Sequence, residues 1–149
     1  MREVLFRGKS KHTGEWVTGA YVSKNWYPNK GVVEESNIIS YEDGDECLWH
    51  LIIPETVGQY TGLTDKNGKK IFEGDIVAYG TNTTRATCKE FYEVVFETKG
   101  GSAYFGIKIS DIETWQFCLE VPAKLMEVIG NIHDNPELLK GRCIRCVID

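Results

Sequence analysis

No part of this 149-residue sequence is apolar for long enough to cross a bilayer as a helix. Near the N-terminus the longest apolar stretch is Val4-Leu5-Phe6, short of the roughly 7–15 residues of a signal-peptide core. Both absences predict a cytoplasmic protein with no membrane partner. Excess positive charge is missing too: Lys and Arg number 17 against 22 Asp and Glu, a net charge of −5, which argues against a general phosphate-coating surface. The cysteines Cys47, Cys88, Cys118, Cys143 and Cys146 are odd in number and irregular in spacing, which suits reduced thiols. Cys143 and Cys146 alone have ligand spacing, and no second such pair completes a tetrahedral site, so they are weak metal candidates and no cofactor is expected.

What is present is an ordinary globular composition, 42% hydrophobic and 26% charged. A chain of this size buries roughly 68–70% of its unfolded surface, so packing alone can hold it. Apolar residues alternate or come in short bursts, and three- and four-residue spacing is not sustained, which predicts strands over helices. The pattern reads as strands at 2–7 and 15–22, a loop at 23–31 carrying Trp26 and Tyr27, and strands at 32–39 and 47–53. A boundary near Pro54 separates an N-terminal β region, 1–56, from a more regular region, 57–140, and a tail, 141–149. In the second region strands are expected at 59–63, 71–79, 87–97, 102–109 and 125–132. Asn67-Gly68 suits a type I′ hairpin turn, and Gly74 marks a bulge or bend. Asn135-Pro136-Glu137 predicts a short C-terminal helix with Asn135 as N-cap.

Charge is unevenly spread. Residues 1–30 hold six basic and two acidic side chains, while residues 31–60 hold seven acids and no Lys or Arg. A solvated acidic loop at 42–46 explains part of this, and a head-to-tail contact between copies is the sharper reading, making a homo-oligomer the expected partner.

Known catalytic patterns do not fit. Gly8-Lys9-Ser10 ends like a phosphate loop, but Glu3 stands where the first Gly belongs. Asp65-Lys66-Asn67-Gly68 opens like a calcium loop, but its Gly comes two residues early and Ile76 replaces the chelating Glu. His12 and His50 have no neighbour that fixes a role. Glu73, Asp75 and His133 form the speculative surface site that a small-molecule enzyme would need. Four tryptophans, Trp16, Trp26, Trp49 and Trp115, with Lys66, Lys69, Lys70, Arg85 and Lys89, support the alternative of a β-barrel binding single-stranded nucleic acid.

Three separated segments carry a resemblance: Arg2 to Lys9 with Gly14 to Val17, Gln59 to Val77, and Val128 to Leu139. Together they resemble the YopX family of phage and prophage proteins. The resemblance implies a mainly β fold whose C-terminal part is an SH3-like barrel or roll, self-assembly, and a bacterial host cytoplasm. It implies no activity, cofactor or catalytic residues. On this reading the protein is a non-enzymatic accessory protein acting through self-assembly or protein binding. Gly62, Asp65, Asn67, Gly68, Gly74, Asp75, Gly130, Asn131, Asn135 and Pro136 are expected to serve turns and closure.

Overall fold

Alternation of apolar and polar residues, punctuated by Gly, Asn and Pro, produces a mainly β chain with three short 3₁₀ turns among the described residues. The structure is a computed structural model that describes residues 3–41, 47–83, 86–109, 113–117, 122–140 and 144–147. For residues 26, 41, 81–83, 86–89 and 144–147 it describes the backbone only. The strands are β1 (Phe6–Lys9), β2 (Trp16–Tyr27), β3 (Gly31–Tyr41), β4 (Cys47–Leu51), β5 (Gly58–Thr64) and β6 (Lys70–Phe72). They continue with β7 (Asp75–Thr83), β8 (Ala86–Lys99), β9 (Ser102–Lys108), β10 (Thr114–Gln116), β11 (Glu127–Asn131) and β12 (Ile144–Val147). The chain divides into two compact units, Met1–Tyr60 and Thr61–Asp149, with the division inside β5. No helix among the described residues is long and apolar enough to cross a membrane.

In the first unit the antiparallel order is β4-β3-β2-β1, and the start of β5 adds to β1 through Arg7↔Gly58 and Phe6↔Gln59. A bridge between Ser10 and Ile52, flanked by bonds from Lys11 N to Leu51 O and from Ile53 N to Lys9 O, brings the end of β4 back against β1. The inward face is built on Ile38 and Ile52, both fully buried. Burial of each contributes roughly 1.5–3 kcal/mol. Gly19 is required there by close approach, because a Cβ would stand 2.0 Å from the Ile39 carbonyl oxygen. The segment 23–31, expected as a loop, is mostly strand: β2 runs on to Tyr27, pairing Trp26↔Val32 and Tyr27↔Gly31. The turn is confined to Pro28–Lys30. The β-branched Val32 and Val33 opposite supply the strand propensity that Pro28 and Asn29 obscure in the sequence.

In the second unit the order is β10-β9-β8-β7-β11, with β12 also paired to β8. Its core gathers Ile71, Val77, Val94, Ile107, Phe117, Ala123, Met126 and Val128. Both ends of this order are open among the described pairings, so no closed barrel forms. Gly100 and Gly101, at φ +60° and +81°, make the two-residue turn between Lys99 and Ser102, the geometry a type I′ hairpin demands. Asn67-Gly68 does not play that part. The Gly68 N–H bonds to Asp65 O at 3.0 Å, so Lys66 and Asn67 occupy the turn centre and Gly68, at φ +81°, follows it. β10 falls outside the expected strands. Ile144–Val147, in the segment read as a tail, pairs with β8 as β12. The expected C-terminal helix is a 3₁₀ turn, Pro136–Leu139, and Asn135 makes no side-chain capping bond to it.

Candidate functional site

Polar residues of the motif segments are occupied with backbone. Asp65 is buried, and its carboxylate accepts the N–H groups of Asn67 (2.8 Å), Lys69 (2.9 Å) and Val128 (3.0 Å). Burial pushes its pKa up. The three donors and the nearby Lys69 charge outweigh that, and the pKa lies below the ordinary carboxylate value. Asn131 accepts from His133 N and Asp134 N and donates to the Asp134 carboxylate, forming an Asx turn. Asn135 packs where a Gly130 side chain would stand, 2.5 Å from the ideal Cβ position. Pro136 opens the 3₁₀ turn, and Gly62 follows Thr61, whose hydroxyl bonds Ile71 O at 2.9 Å.

Of the residues Glu73, Asp75 and His133, Asp75 does not reach the surface. Asp75 is 1% exposed and accepts the Phe72 N–H at 2.8 Å across the Glu73-Gly74 turn. Glu73 and His133 are half-buried, and the His133 ring lies against that turn, with Nε2 3.9 Å from the ideal Cβ position of Gly74. His50 is tied to Ser40 at 2.9 Å, and His12 sits exposed in the turn after Ser10. In the proposed basic patch, Lys66 pairs with Glu127. Arg85 and Cys143 lie outside the described residues, as do the side chains of Lys89 and Cys146. Among the described residues no three His, Cys, Asp or Glu side chains gather as a metal site requires.

A different place has the geometry of a binding site. On β2, β3 and β4 a pocket of about 490 Å³ is lined by Val22, Lys24, Asn25, Tyr27, Asn37 and Trp49, within the size range of ligand sites. Val22 pairs with Asn37 and Lys24 with Glu34, two steps along β2 against three along β3. The extra residue is a bulge, which re-aims neighbouring side chains. Asn37 is 6% exposed and its Nδ2 has no hydrogen-bond partner. An unsatisfied buried donor costs about 1–3 kcal/mol. Trp49 is 57% exposed. Lys24 pairs with Glu34 at 3.3 Å, and the Tyr27 hydroxyl donates to Glu35 at 2.8 Å. That hydrogen bond, then desolvation and the Glu35 charge, raises the Tyr27 pKa above the ordinary phenol value. Sequence reasoning missed Asn37, because one Asn beside Ile38 and Ile39 carries no motif. The seven acids of residues 31–60 were the only signal nearby.

The family model described as YopX protein matches residues 5–140. Among solved structures, protein EF1440 from Enterococcus faecalis is similar at 24% identity and a TM-score of 0.49, covering 93% of this chain and 99% of that one. Curated proteins give no match.

Proposed function

The chain belongs to the YopX protein family, and we propose that it is a non-enzymatic phage or prophage accessory protein of the bacterial cytoplasm that acts by binding protein. The observation that carries this is a contrast between two sets of polar groups. Asp65, Asp75 and Asn131 of the motif segments accept backbone N–H groups, the work of turn residues. The pocket on β2–β4 instead presents a buried amide without a partner and a largely bare indole. Binding surfaces concentrate such aromatic anchors with a few placed polar groups.

Self-assembly is one form of the same activity, supported by the basic 1–30 and acidic 31–60 blocks, which can meet between copies. We read the second unit as an SH3-like roll. Its support is a meander from β7 to β10, a 3₁₀ turn at Ala123–Leu125, and β11 returning beside β7. Single-stranded nucleic acid has less support. Trp16 is already covered by Arg7 and Lys9, and Glu34 and Glu35 adjoin the pocket that Trp49 opens onto.

The test is a photo-cross-linking benzoylphenylalanine at position 49, compared in host cells with the same group at exposed Val4. Protein adducts at position 49, either with another copy or with a distinct polypeptide, are expected. Nuclease-sensitive adducts, or no adduct beyond that of the Val4 control, would contradict the proposal.

A further inference from the structure

We infer that the pocket on β2–β4 receives a basic peptide segment, with a Lys or Arg side chain lying over Trp49 and a main-chain carbonyl accepting from Asn37 Nδ2. This rests on the protein-binding reading and names the chemistry of the partner.

The outward face of the first unit already shows the mode. Trp16 carries the Arg7 guanidinium at 4.8 Å from its ring centroid and the Lys9 ammonium at 5.6 Å. Register places Trp49 on that same face: Trp16, Thr18, Ala20 and Val22 alternate outward along β2, Ala20 pairs with Ile39, and Ile39 pairs with Trp49. Trp49 is exposed, and among the described residues no cation lies over it. The indole face attracts a cation through its quadrupole.

Charge favours the same occupant. Lys24, the lining cation, is paired with Glu34, and Glu35 adjoins Tyr27. A phosphate would meet both carboxylates, whereas a cation is drawn to them. The Asn37 amide donor requires an acceptor, which a lone cation lacks and a peptide carbonyl supplies. Val22 offers apolar surface for the aliphatic stem of the basic side chain.

The test follows the Trp49 indole N–H resonance of the full-length protein during titration with an Arg-containing Gly/Ser peptide. Parallel titrations use the same peptide with citrulline for Arg, an acidic peptide and oligothymidine. Saturable shifts with the Arg peptide are expected, with roughly fivefold or greater weakening on citrulline replacement. Monitored by chemical shifts elsewhere in the sheet, Asn37→Leu should weaken binding about fivefold, and Trp49→Ala should weaken it more than Trp49→Phe. Equal binding of the citrulline peptide, tighter binding of the acidic peptide or oligothymidine, or no saturable shift with the Arg peptide overturns the inference. If the Arg peptide fails while position 49 still cross-links to protein, the basic-peptide chemistry falls and the protein-binding reading stands. If both fail, both fall.

Discussion

The Val128 backbone N–H donates to the Asp65 carboxylate at 3.0 Å across 63 positions of sequence. The same carboxylate holds the turn at Asn67 and Lys69, so one buried side chain fixes a turn and pins β11 to it. Asp65→Ala should therefore lower stability by on the order of 3 kcal/mol, since three N–H groups lose a charged acceptor together. Urea denaturation at neutral pH reads this directly, and an unchanged midpoint would remove the carboxylate from the account.

Acid should act through the same group. The folded-state pKa of Asp65 is depressed, so its stabilisation is fully present above the unfolded pKa, about 3.9, and is lost as pH falls through the folded value. Between pH 6 and 8 this carboxylate contributes no slope. Below about pH 4 the wild-type urea midpoint should fall more steeply than that of Asp65→Asn. Parallel curves for the two proteins would show that Asp65 does not couple folding to protons.

Close packing gives a further expectation. A Cβ on Gly19 would lie 2.0 Å from the Ile39 carbonyl oxygen and 2.7 Å from its carbon, both backbone atoms within a ladder. Gly14 has open space around its Cβ position and only a positive φ of 72° to strain a side chain. Gly19→Ala should destabilise by several kcal/mol, and Gly14→Ala by about 1 kcal/mol. Thermal melts of the two variants decide it, and a smaller loss at Gly19 would contradict the register of β2 and β3.

Local chemistry made much of the fold legible. Gly100-Gly101, Asp65 through Gly68 and Gly74 mark turns by their backbone needs, and alternation marks most of the ladders between them. Segments failed where pairing rather than composition decides. Trp26 and Tyr27 sit beside Pro28 and Asn29 yet continue β2, because Val32 and Gly31 pair with them. β10 and β12 are short and depend on β9 and β8. Asp75 was expected to serve a turn, and it accepts the Phe72 N–H; its burial was not legible, because a carboxylate beside a turn looks the same in sequence whether it faces solvent or backbone. Asn37 was invisible, since its burial and its unpartnered amide arise only when β3 is paired on both sides, Asn37 lying between Val22 on β2 and Leu51 on β4.

In the pocket proposed on β2–β4, Asn37 is kept for a ligand at the expense of the fold. The thermal midpoint of Asn37→Leu against wild type, without ligand, tests it most directly. Removing a buried donor that has no partner should stabilise by about 1 kcal/mol, a rise of about 2–4 °C for a chain of this size. A midpoint lowered by a similar amount would make Asn37 a structural residue and contradict the assignment of the pocket.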